Sequence, residues 1–63
     1  MLIPFQDAEN GKTYFVNPNQ VSVVFESTTP DGGTVTTINL LNGNVVTNEN
    51  ILAVVGKLGA LNG

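Results

Sequence analysis

A chain of 63 residues with 11% charged side chains, a formal charge of −3 and neither Cys nor His excludes disulfides and the usual zinc and iron ligands. A domain this small buries only about 60% of its unfolded surface, and a soluble surface normally carries about 25–35% charged residues, so cover from further copies of the chain is expected. Two Lys against five acidic residues are too few cations for one copy to bind nucleic acid strongly by counterion release.

The segment Met1-Leu2-Ile3-Pro4-Phe5-Gln6-Asp7 has no basic start, and Pro4 and Asp7 cut its apolar run, so no signal peptide is expected. No stretch approaches the roughly 20 apolar residues that span a bilayer. The expected setting is the cytoplasm of the producing or infected cell, with no membrane partner.

A single domain over 1–63 is expected, with strands at about 2–8, 12–16, 20–27, 34–41 and 44–47 and a helix at about 49–61. Asn10-Gly11 and Asn42-Gly43 sit between apolar alternations and read as two-residue hairpin turns. The first sets Glu9 opposite Lys12 and Phe5 opposite Val16. The second sets Leu40 opposite Val45 and Ile38 opposite Thr47, with Asn39 and Val46 sharing the other face. Asn17-Pro18 stops the second strand, because Pro lacks a ladder donor. In the third, Val21, Val23 and Phe25 are expected on one face, with Ser22 and Glu26 on the other. Thr29-Pro30-Asp31-Gly32-Gly33 reads as a hairpin loop.

From Asn48 the period changes, with Ile51, Val54, Val55, Leu58 and Leu61 at helical spacing. Thr47 or Asn48 is available as N-cap, Glu49 suits the positive end of the dipole, and Asn62-Gly63 would close the helix. Gly56 and Gly59 weaken it by up to about 1 kcal/mol each relative to Ala, so packing must hold it. They also permit close approach of another backbone. These elements give a mainly β fold: a small, strongly bent five-stranded antiparallel sheet or partly open barrel with one C-terminal helix.

No nucleophile and base assemble, so no catalytic residue, metal or cofactor is expected. Asp7 and Glu9, two apart on a strand, could pair for a cation or for acid/base work; solvated rim charges are the commoner arrangement. Asp31-Gly32-Gly33 lacks the further oxygen ligands of a calcium loop. Tyr14 and Phe15 point oppositely, and Tyr14 could stack on a base or peptide, although core or interface packing is commoner for aromatics. Asn17-Pro18-Asn19 and Asn42-Gly43-Asn44 present amides that can read base edges, while Asn also suits turn dihedrals for its own sake.

The run Ile38-Asn39-Leu40-Leu41-Asn42-Gly43-Asn44-Val45-Val46 resembles the second signature of the Sm-like (LSm) family: Leu41, Gly43, Asn44 and Val46 match, while Asn42 replaces the basic residue that contacts RNA there. The first signature is echoed only by Asn17-Pro18-Asn19-Gln20, and the family's amino-terminal helix is missing. Taken whole, the chain resembles a small Sm-like protein of marine cyanophage origin. The resemblance implies an SH3-type barrel whose edge strands pair into a closed homo-oligomeric ring that binds single-stranded RNA, or less readily DNA. Candidate contacts are Asn19, Gln20, Asn42 and Gly43, with Lys12 for phosphate. The order of Gly11, Asn17-Pro18, Leu41-Asn42-Gly43 and Ile51 to Leu58 also resembles the small flagellar-operon family FlbD, which implies little about activity. The expectation is thus a non-catalytic nucleic-acid-binding ring subunit, with a phage accessory or structural protein-interaction module as the alternative.

Overall fold

Asn17-Pro18 divides the architecture. In the computed structural model, which describes residues 1–59, β1 (Ile3–Gln6) and β2 (Thr13–Val16) form a two-stranded antiparallel ribbon. A 3₁₀ turn over Pro18–Gln20 follows, in which Asn17 Oδ1 accepts from Asn19 N–H and Asn17 C=O from Gln20 N–H, both at 3.0 Å. Then β3 (Val21–Thr28), β4 (Thr34–Leu40) and β5 (Gly43–Thr47) form a separate three-stranded meander, followed by α1 (Ile51–Leu58). The fold is mainly β, with two antiparallel sheets and one C-terminal helix. A single five-stranded sheet does not form, because the 3₁₀ turn carries the chain out of β2's ladder, and no barrel closes among the described residues.

Both hairpins are displaced by two residues from the expected register. In the ribbon Phe5 lies opposite Tyr14 and Ile3 opposite Val16, and Asp7 N–H donates to Lys12 C=O at 2.7 Å. The loop is therefore Ala8–Gly11, and Glu9 does not face Lys12. Asp7 is the cause: its Oδ1 accepts from the N–H groups of Glu9 and Asn10 at 2.8 and 3.1 Å, a side-chain-stabilised turn that outcompetes the tighter one. In the second hairpin Ile38 pairs with Val45, Thr36 with Thr47 and Leu40 with Gly43, so Leu41 and Asn42 form the loop. Among the described residues no non-glycine residue has positive φ, and Asn42 thus avoids the left-handed conformation that an Asn42-Gly43 turn would need. A shift of two preserves side-chain parity, so each strand still turns its apolar set inward.

A bulge at Ser22 corrects the third strand. Val21 pairs with Leu40 and Val23 with Asn39, leaving Ser22 unopposed. Val21 and Val24 consequently pack against the core, while Val23 and Phe25 turn to the other face. At the far end Gly32 N–H donates to Thr29 C=O at 3.0 Å and Thr29 N–H to Gly33 C=O at 2.9 Å, with Gly32 at φ 88°. This three-residue loop puts Pro30 at the start of the turn and Gly where a side chain would be strained.

The helix is shorter than expected. Its N-cap is Asn50, not Thr47 or Asn48: Asn50 Oδ1 accepts from Leu52 N–H at 2.8 Å. Its C-cap is Gly59 at φ 79°, which ends the helix that the sequence pattern carried to residue 61. Leu61 and the Asn62-Gly63 cap lie outside the described residues. Glu49 precedes the helix; its carboxylate pairs with Lys57, whose ammonium stands 5.5 Å from the centroid of the Phe5 ring. The core is Phe5, Val16, Ile38, Val45 and Val54, bordered by Ile3, Val21, Val24, Leu40 and Leu58. The β1–β2 ribbon and α1 thus share one face of the meander, and Thr36 Oγ1 donates to Glu49 C=O at 2.8 Å beside them.

Ile38→Ala should cost about 2–5 kcal/mol, a large part of the roughly 3–9 kcal/mol available to a domain of this length. Asn50→Ala should cost about 1 kcal/mol and Asn48→Ala within about 0.5. Urea denaturation of the three variants checks the order, and equal effects at Asn48 and Asn50 would contradict the observed cap.

Candidate functional site

Two surfaces emerge. The first is the end of the meander where the 3₁₀ turn meets the β4–β5 loop. Leu41 N–H donates to Gln20 C=O at 3.1 Å, which brings Asn19, Gln20, Asn42 and Gly43 together. All four are exposed, and the side-chain amides of Asn19, Gln20 and Asn42 make no hydrogen bond among the described residues. Lys12 is elsewhere. It closes the β1–β2 loop beside Asp7, and that loop docks by Ala8 N–H on Val46 C=O at 2.7 Å, three residues along β5 from Gly43. At about 3.4 Å per residue this separates it by roughly 10 Å of strand from the amide cluster. The other lysine, Lys57, is held by Glu49.

The second surface is the outer face of the meander, away from Ile38. Register places Phe25, Thr37 and Val46 in one row, with Val23, Asn39 and Asn44 in the next and Val35 beside Ser27. Thr37 is buried on the central strand, yet Val23 and Phe25 remain 51% and 42% exposed on the outer strand. An unbroken period of two keeps Val23 and Phe25 on the face of Val21, which packs on the core; the bulge, which nothing in Val21-Ser22-Val23-Val24 announces, turns them to this patch instead. Tyr14 and Phe15 do point oppositely: Tyr14 shares Phe5's side and accepts from Asn10 Nδ2 at 3.0 Å, while Phe15 is exposed.

Three of the five carboxylates, those of Asp7, Asp31 and Glu49, are engaged in turns or an ion pair. Asp7 and Glu9 do not form a pair: Asp7 is buried and Glu9 lies in the loop, exposed. The Glu9 N–H holds the Asp7 carboxyl below the usual range, with burial opposing and the N–H groups of Asn10 and Val46 assisting. Asp31 is lowered in the same direction by the Thr29 hydroxyl and the Gly33 N–H. Asp7 also borders an open groove of about 520 Å³ that includes Gln6, Thr47 and Glu49. Among the described residues no three potential metal ligands cluster, and no helix is long and apolar enough to cross a membrane.

No protein-family model matches this chain, no curated protein matches it, and no solved structure matches it. Neither the Sm-like nor the FlbD-like resemblance gains support from relatives.

A carboxyl whose folded pKa is depressed contributes stability that is complete above its unfolded value, near 3.8 for Asp7, and lost as pH falls through the folded value. The native chain should therefore lose stability below about pH 4. Asp7→Asn should be less stable at neutral pH and lose less on acidification, Asp31 accounting for part of the remainder. Urea midpoints at neutral pH and near pH 3 test this; an unchanged acid slope in Asp7→Asn would assign the effect elsewhere.

Proposed function

We propose that the chain is a non-catalytic interaction module that acts through self-association, the meander's outer side receiving further copies. The observation that carries this is the half-exposed pair Val23 and Phe25 on a face whose centre, Thr37, is already buried. An apolar patch of this kind on so small and charge-poor a chain is an association surface. The engagement of Asp7, Asp31 and Glu49 in turns and an ion pair is what favours the non-catalytic half of the reading.

A second reading is favoured by one observation, the three free amides of Asn19, Gln20 and Asn42 gathered at one end. On this view the chain is a subunit of a ring, as in the Sm-like family, and binds single-stranded RNA by base edges. Multivalency around the ring would compensate for weak single sites. The separation of Lys12 from the amides makes it the weaker of the two.

Light scattering over a concentration series should give a mass above the 6.6 kDa of one chain that falls on dilution, and a constant monomer mass would defeat the first reading. In low salt, labelled single-stranded RNA should bind no more than weakly. Tight binding abolished by Asn42→Ala would promote the second reading instead.

A further inference from the structure

Antiparallel ladders alternate hydrogen-bonded with non-hydrogen-bonded pairs, so one known pair fixes the direction of every backbone group on a regular strand. Thr29 N–H donates to Gly33 C=O at 2.9 Å, and the register runs unbroken from Thr28–Thr34 to Val23–Asn39. Ser27, Phe25 and Val23 therefore turn their N–H and C=O groups toward β4. Thr28, Glu26 and Val24 turn theirs away from the sheet. Counting in the same way from the Leu40–Gly43 pair sends the groups of Val46 outward from β5, where its C=O accepts from Ala8 N–H at 2.7 Å.

The two edges of the meander differ in consequence. At β5 the hairpin loop covers Val46, with Ala8 N–H on its C=O and its N–H toward the Asp7 carboxylate. At β3 no hydrogen bond from any described residue reaches the outward groups of Val24, Glu26 or Thr28. This strand is eight residues long and has no Lys, Arg or Pro; Glu26 is its one charge, and the bulge distorts only its first residues. It lacks most of the devices by which sheets protect an edge.

We propose that this edge pairs antiparallel with β3 of a second copy about a two-fold axis at Phe25. The proposal rests on the self-association reading and goes further by naming the edge and register. An axis perpendicular to the sheet keeps both outer faces on one side, so residues opposite each other share parity and the axis falls on a residue. Centring on Glu26 would set two carboxylates directly opposite, and centring on Val24 would draw the Ser22 bulge into the ladder. Centring on Phe25 keeps the carboxylates from facing each other and brings Ser22 in only at the two ends of the ladder, opposite Thr28. Val24 of each copy then exchanges backbone hydrogen bonds with Glu26 of the other, and Phe25 faces Phe25 in the closer, non-hydrogen-bonded type of pair. Each Glu26 stands opposite an apolar Val24. Val23 and Phe25 of both copies become one continuous apolar strip. A foreign strand would have to supply a matching aromatic and no acid beside Glu26; a second copy has both properties.

Glu26→Pro removes an outward N–H while sparing the β4 ladder, and Phe25→Lys sets two ammonium groups face to face at a half-exposed site. At concentrations on the order of 100 µM, where association outweighs dissociation for a micromolar dimer, the native chain should scatter as twice 6.6 kDa. Both variants should scatter as single chains with native circular dichroism. In the native chain, amide hydrogen exchange at Val24 and Glu26 should slow by about tenfold or more between dilute and assembled protein. A native chain that is monomeric throughout removes both this proposal and the reading beneath it. An assembled chain whose variants keep the native mass, or whose Val24 and Glu26 amides exchange as freely as in dilute protein, overturns the edge and leaves self-association standing. If Glu26→Pro fails to fold, Phe25→Lys and the native exchange data decide.

Discussion

The junction at Val46 is the constraint on which the structure depends. Two sheets with only five buried apolar side chains among the described residues between them and the helix have little to hold them in one arrangement. Ala8 N–H on Val46 C=O at 2.7 Å, beside the Asp7 carboxylate, fixes the ribbon against β5. That bond places Phe5 over the inner face, where it joins Ile38 and Val45, and brings its ring under the Lys57 ammonium. The same contact that assembles the core also closes one edge of the meander, which leaves β3 as the edge whose outward groups meet no hydrogen-bond partner among the described residues.

The sequence carries the types of element clearly, because period, Pro and Gly act locally. Asn17-Pro18 does end β2, Thr29-Pro30-Asp31-Gly32 does turn, and Ile51, Val54, Val55 and Leu58 do form the buried side of α1. Register is another matter, since it is set by which side chains capture turn N–H groups. Asp7 and Asn10 capture them in the first loop, and both Asn-Gly turns slip by two. The slip does no harm to the reading of the core because parity survives it. The bulge does harm, since one extra residue reverses the faces of Val23 and Phe25 and hides the patch that the functional reading uses. Likewise the amide cluster was legible as turn-forming Asn, but the distance of Lys12 from it depends on how the ribbon docks, which no local pattern encodes.

Charge completes the account. Of the two Lys in the chain, Lys57 is spent on Glu49 and Phe5, and Lys12 flanks the Asp7 turn. Neither forms a basic surface, so beside the uncharged amides of Asn19, Gln20 and Asn42 the chemistry offered for recognition is apolar area and unpaired backbone. Both are offered by β3: Val23 and Phe25 on its face, Val24 and Glu26 along its edge. On the proposed pairing, a sheet capped at one side and open at the other is completed by a second copy of itself, and stability would then be a property of protein concentration.

The most direct test is the thermal midpoint of the native chain at roughly 5 and 500 µM, since linkage makes Tm rise with concentration only where the folded state associates. The account expects a higher midpoint in the concentrated sample. An identical midpoint in both would show that the open edge and patch have no partner among copies of this chain.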